Sequence, residues 1–220
     1  MKLQASFAVL LIGVCCAVFG VCSCGKHSGD KKTVDPETLR LMQKTQAELV
    51  TCVERCKSAA EDSRNKEIFL ALANSQQILV DRHETIINIF LKKYKLDKSP
   101  TGSYPNEMDP RTLVLDPVPE YAAFLDEADP ERILREVLIA LEVTNKVLDS
   151  DRRFLSLVNP NSWERVPDLD LFLCPVCGLL TTKEPDEGCP VCHSDKDRII
   201  KLKNGEIPPQ DKESFIGVSE

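Results

Sequence analysis

The sequence predicts a mainly α fold, a four-helix bundle followed by a small β ribbon closed around a metal. Three observations predict it. Apolar residues recur at three- and four-residue steps through most of residues 35–158. A proline-dense stretch over 93–119 divides that region in two. Four cysteines near the C-terminus stand as two Cys-x-x-Cys pairs. A chain of 220 residues has room for one medium domain and a small one. Its net charge of −7 argues against nucleic-acid binding. A hydrophobic content of 42% is ample for a helical core.

The N-terminus reads as an export signal. Lys2 is the sole charge before Lys26, and Phe7 to Val21 is almost wholly apolar, too short for a comfortable membrane span. The run ends Val21-Cys22-Ser23-Cys24-Gly25-Lys26, which resembles a bacterial lipoprotein cleavage box. The small Ser23 makes Cys24 the expected lipidated residue, with Cys22, behind the bulky Val21, as the runner-up. An ordinary secretory signal or a retained anchor is the alternative. Residues 1–23 are therefore assigned as a lipoprotein-type signal peptide and 24–34 as a flexible tether. The expected location is membrane-anchored, on the periplasmic or cell-surface side.

Asp35-Pro36-Glu37 starts the first helix, with Asp as cap and Pro in the first turn. Leu39, Met42, Thr45, Leu49, Cys52, Val53 and Cys56 form one stripe to be buried. Cys52 and Cys56, four apart on a helix, have Cβ atoms about 5–6 Å apart, whereas a disulfide needs about 3.5–4.5 Å. They are read as small core residues. A second helix is expected from about Arg64 to Tyr94, with Ile68, Leu72, Ile78, Leu79, Ile86, Ile87, Phe90 and Leu91 apolar. Prolines at 100, 105, 110, 117 and 119 exclude a helix through the next stretch. Pro119-Glu120-Tyr121 begins a short helix to about Glu127. Asp129-Pro130-Glu131 caps a long one through Leu157, with Ile133, Val137, Leu138, Leu141, Val147, Leu148, Phe154 and Leu155 apolar and Thr144 in the same stripe. Two helix pairs joined by a long crossover make a ferritin-like bundle over 35–158. A linker over 159–170 leads to the ribbon.

Cys174-Pro175-Val176-Cys177 and Cys189-Pro190-Val191-Cys192 lie eleven residues apart. Two such knuckles bring four thiolates to one point, as a tetrahedral metal requires, and soft sulfur selects zinc or iron over calcium or magnesium. Two local disulfides or four free thiols are the alternative. Leu171-Phe172-Leu173 reads as an entering strand and Arg198-Ile199-Ile200-Lys201-Leu202 as a closing one. Gly178 follows the first knuckle and Gly188 precedes the second, where positive φ is useful. So small a unit, residues 171–205 with a tail over 206–220, is held together by its metal.

Phe172-Leu-Cys-Pro-Val-Cys-Gly178, the loop Glu184 to Cys192 and Lys196 resemble the C-terminal rubredoxin-like module of rubrerythrins. Ser150-Asp-Arg-Arg-Phe-Leu155 resembles the last-helix segment of the same family, so the resemblance spans roughly residues 36–205. It implies one redox-active iron on Cys174, Cys177, Cys189 and Cys192, with zinc as the alternative. His193 stands where rubredoxins usually carry Gly, and Leu179-Leu180 where an aromatic is usual.

The resemblance also implies a di-iron centre, which needs a Glu from each of two helices and Glu-x-x-His from each of the other two. This chain offers Val80-x-x-His83 and Val147-x-x-Ser150, and a shifted register offers Glu142-x-x-Asn145. Val supplies no lone pair. Glu48, His83, Glu120, Glu127 and Glu142 are the candidate remnant ligands, and no catalytic residue is assigned. Three functions follow: a lipid-anchored electron carrier using the four-cysteine iron, a di-iron peroxidase reducing hydrogen peroxide, or a structural zinc ribbon on an anchored binding module. A redox partner protein, a membrane contact through the lipid and a homodimer are the expected partners.

Overall fold

The computed structural model describes residues 36–94, 109, 111–121, 135–157 and 169–208. Cys22, Cys24, the tether, Glu127 and most of the short third helix of the expected bundle lie outside the described residues. Helix α1 spans Pro36–Asp62, α2 Lys66–Tyr94 and α3 Arg135–Leu157. Residues 119–121 are also helical. Among the described residues, no helix is long and apolar enough to cross a membrane.

A three-residue connection folds α2 back along α1, so the start of one packs on the end of the other. Leu39 and Met42 meet Ile86, Ile87, Phe90 and Leu91 at one end, and Cys56 and Ala60 meet Ile68, Phe69 and Leu72 at the other. Nearly all the expected stripe residues among those described are buried, Leu138 and Leu155 being half-buried. The α2 start differs from the expected Arg64. Ser63 Oγ accepts from Asn65 N at 3.0 Å, and the Asn65 carbonyl accepts from Ile68 N and Phe69 N at 3.0 and 3.3 Å. That turn consumes Arg64 and Asn65 before helical bonding begins.

The described part of the crossover is pinned to the helices at both ends. Arg55 Nη1 donates to the carbonyls of Asp109 and Thr112 at 2.8 and 3.1 Å. The Cys56 thiol and Gln76 Nε2 both donate to Leu113 O, at 3.2 and 3.0 Å. Asn145 grips both backbone groups of Val118, at 2.8 and 3.0 Å. A proline-rich segment has no ladder to satisfy its carbonyls, and these side chains supply the partners. Burial pushes the Cys52 and Cys56 thiols up to about 12, and both are free, as core residues would be.

The ribbon is a three-stranded antiparallel sheet in the order β2-β1-β3, with β1 Phe172–Leu173, β2 Leu180–Thr181 and β3 Ile200–Lys201. Leu173 pairs with Leu180 on one side and Ile200 on the other. The closing strand is shorter than expected. Lys196–Arg198 forms a 3-10 turn, so Arg198 belongs to the approach and only Ile200 and Lys201 join the sheet. The strand β2 has no sequence expectation behind it, since two residues carry no periodicity.

Candidate metal centre

Each knuckle folds by the same local rule. In the first, Gly178 N donates to Cys174 O and Cys174 N to Leu179 O, both at 2.9 Å. In the second, His193 N donates to Cys189 O and Cys189 N to Ser194 O, again at 2.9 Å. The residue after each second cysteine must turn left-handed: Gly178 has φ 89° and His193 has φ 59°. His193 therefore does the work of the glycine usual in rubredoxins, at the modest cost of a non-Gly residue in the left-handed region. Gly188, at φ 103°, lies under the Ser194 carbonyl, where a Cβ would collide with backbone.

The result is four sulfurs within 4.8 Å of one another. Cys174 Sγ and Cys192 Sγ are 3.6 Å apart, and Cys177 Sγ and Cys189 Sγ 3.4 Å. All four cysteines are free, and these separations are far beyond a disulfide bond of about 2.0 Å. Metal–sulfur bonds of about 2.3 Å in a tetrahedron need sulfurs about 3.8 Å apart, so the donor set fits iron or zinc with little movement. Thiol hydrogen bonds, chiefly from Cys177, hold Cys174 down to about 6, and those led by Cys174 push Cys192 further down. The same network, led by Cys174, raises Cys177 and Cys189. A bound cation releases the remaining protons, so metal uptake weakens in acid.

The bundle supplies the walls. Cys174, Cys177, Leu179 and Cys189 share one apolar cluster with Leu79, Val80, Val143 and Val147. Arg82 Nη1 donates to Val176 O and Ser150 Oγ to Leu180 O, both at 3.3 Å. Asn74 Nδ2 donates to Gly205 O at 3.0 Å. Three of the cysteines are buried, and Cys192 is half-buried beside the exposed His193.

Among the described residues, the four cysteines are the one group of three or more His, Cys, Asp or Glu donors close enough to share a metal. His83 is buried with both ring nitrogens engaged: Nδ1 donates to Leu79 O at 2.8 Å, and Nε2 accepts from the Tyr121 hydroxyl at 3.2 Å. Thr45 hydrogen-bonds the same hydroxyl. Glu48 is partly exposed and paired with Lys44 at 3.9 Å. Glu142 is exposed and paired with Lys146 at 2.6 Å, and Glu120 is exposed. Val80 and Val147 lie in the apolar cluster against the ribbon. Two polar features had no distinctive spacing to reveal them. Ser194 Oγ touches two of the sulfurs. Asp151 is fully buried, its carboxylate oxygens 2.9 and 2.8 Å from Ser75 Oγ, and burial raises its pKa well above the ordinary carboxylate range.

Burial lowers the His83 pKa from 6.5 to about 4. The unfolded chain then binds this proton more readily than the folded one. The stability involved is fully present above pH 6.5 and is lost as the pH falls towards 4. At about 1.4 kcal/mol per pH unit the loss is about 3 kcal/mol. Urea unfolding at pH 7.5 and pH 4.5 should show that drop in the native chain and a smaller one in His83→Gln. Equal drops in both would show that His83 does not carry it.

No protein-family model matches the chain, and no curated protein matches it by sequence. Among solved structures it is similar to nigerythrin, a rubrerythrin-family protein, in two states. Against the mixed-valence state the identity is 20%, the coverage 79% of this chain and 90% of that one, and the TM-score 0.53. Against the fully reduced, all-ferrous state the values are 20%, 80%, 91% and 0.54. The chain has that fold, a ferritin-like bundle with a rubredoxin-like four-cysteine ribbon.

Proposed function

We propose that this rubrerythrin-like chain is a redox metal protein carrying one iron on Cys174, Cys177, Cys189 and Cys192, without a working di-iron centre. The observation that carries the reading is the cluster of four sulfurs within 4.8 Å, walled on one side by apolar bundle residues. Iron held by four thiolates supplies a one-electron couple. The chain's own residues do the rest. Val80, Val143 and Val147 keep water from the buried cysteines, and the knuckle backbone bonds orient the two cysteines of each pair towards one point. The second knuckle, with half-buried Cys192 and exposed His193, is the side on which a redox partner protein can approach.

The bundle supports the second half of the reading. Val80 and Val147 offer no donor atoms and are packed against the ribbon, while both nitrogens of His83 are already bonded. The test is elemental analysis and reduction of the chain purified from iron-replete cells. One iron per chain, red when oxidised, bleached by dithionite and restored by air, is expected. Close to three irons with an oxo-bridge band would restore the di-iron peroxidase. One zinc and no colour would leave a structural ribbon on a binding module.

We also propose that the mature chain is lipid-anchored through Cys24 outside the cytoplasm and works as a homodimer. Native protein should partition into detergent and carry acyl chains at Cys24. Cys24→Ala should abolish both, whereas Cys22→Ala should not. An unmodified N-terminus at another residue, seen by mass spectrometry, would exclude the anchor.

A further inference from the structure

The outer edge of the sulfur cluster carries a side-chain hydroxyl. Ser194 Oγ lies 3.2 Å from Cys174 Sγ and 3.4 Å from Cys192 Sγ, and those two sulfurs, one from each knuckle, are 3.6 Å apart. The residue is held at both ends. Its carbonyl accepts from Cys189 N at 2.9 Å, and the Asp195–Arg198 turn follows it directly, Arg198 N donating to Asp195 O at 3.1 Å. Gly188 packs against that same carbonyl, where any Cβ would push Ser194 away. The hydroxyl is therefore placed by the knuckle fold and not by its own rotamer alone. When the cysteines are metal ligands they are thiolates with no proton to give, so the hydroxyl is the donor.

We propose that Ser194 is a positioning residue of the metal centre whose hydroxyl donates to the Cys174 and Cys192 sulfurs, withdraws charge from them and raises the reduction potential of the bound iron. The last clause rests on the iron reading; the hydrogen bond does not. One electron added to a four-thiolate iron makes the cluster more negative by one charge, with no bond made or broken. A donor aimed at sulfur stabilises the more negative state more, because a hydrogen bond to an ionised acceptor strengthens with its charge. Hydrogen bonds to sulfur are among the levers that set such potentials. Burial of three of the cysteines acts the other way, since low dielectric disfavours the extra charge. Ser194 sits on the half-buried side and offsets that penalty. It has one hydrogen for two acceptors, so it serves whichever sulfur is more electron-rich and couples the two knuckles.

The hydroxyl can be deleted without touching the backbone bonds. Ser194→Ala and Ser194→Thr, in the full chain, are compared with the native protein by spectroelectrochemical titration of the iron form. A second readout is the sulfur-to-metal charge-transfer band of the cobalt(II) form. Ala is expected to lower the potential by the equivalent of about a tenfold change in the ferric/ferrous equilibrium, about 59 mV for one electron. It should also move the cobalt band to lower energy, because the sulfurs become richer in charge, while Thr restores both. Unchanged values in Ala overturn the proposal. A cobalt band that shifts in Ala, in a chain that takes only zinc from iron-replete cells, supports the hydrogen bond and refutes the electron-transfer reading. A band and potential that move equally in Ala and Thr assign the effect to packing and overturn the donor role.

Discussion

Cys177→Ser is expected to weaken metal binding more than a hundredfold and to unfold the ribbon while the bundle stays helical. Cys177 is fully buried, and its sulfur lies 3.4 Å from that of Cys189 in the other knuckle. An apparent binding free energy of about 10–16 kcal/mol for a structural four-ligand zinc site is also folding free energy. One ligand's share is about 3 kcal/mol, a little over two orders of magnitude in affinity. Packing of Leu173, Leu180 and Ile200 on the bundle holds one face of the ribbon, but the knuckles have only the metal to tie them to each other. The ribbon strands are two residues each, below the length at which a sheet stands alone. Amide exchange should therefore rise across residues 171–202 in the variant, and equally in native protein stripped by a chelator. Helical circular dichroism should change little, because Leu39, Met42, Ile86, Ile87, Phe90, Leu91, Val137 and Leu141 form a helix-only cluster away from the sulfurs. A ribbon that stays protected from exchange after complete metal removal would show that packing, not metal, holds it.

Gly178→Ala should loosen the ribbon from the bundle without abolishing metal binding. At φ 89° an L-residue is strained by about 1–3 kcal/mol. The added Cβ would also sit 2.7 Å from the Ser75 carbonyl oxygen, a backbone atom of α2 that cannot turn aside. The relief available is a shift of the whole first knuckle, which would open the contact among Cys174, Leu179, Val80 and Val147. The expected result is a combined loss of about 2–4 kcal/mol in stability from strain and overpacking. Faster exchange at Val80 and Val147 and an unchanged metal content of one per chain should accompany it. Native stability in the variant would mean that the ribbon does not dock where Gly178 meets Ser75.

The bundle was legible to the extent that its signals were local. The stripes from Leu39 to Cys56 and from Ile68 to Leu91 repeat at helical spacing, and nearly every described member is buried. The turn residues at the start of α2 were not separable from helix by that pattern, so its first residue moved from Arg64 to Lys66. In the ribbon, the closing strand lost Arg198 to a 3-10 turn and β2 was invisible. Strands of two residues offer no alternation to read.

By itself the sequence determined what depends on neighbours a few positions apart: helix faces, the knuckle turns and the gathering of four sulfurs. His193 shows how far that reach extends. The backbone after a second knuckle cysteine turns left-handed whether or not the residue is glycine, because the short loop back to Cys189 admits nothing else. The tertiary structure decided the rest. Val80 and Val147 could be read as missing ligands, but their role as a wall against Cys174 and Cys177 required the ribbon to be in place. His83 meets Tyr121 across 38 positions, Ser75 meets Asp151 across 76, and Arg82 meets Val176 across 94. No local pattern encodes such pairs. They form because burying apolar faces fixes where each helix and the ribbon lie, and polar groups caught in between must then take whichever partner is within reach.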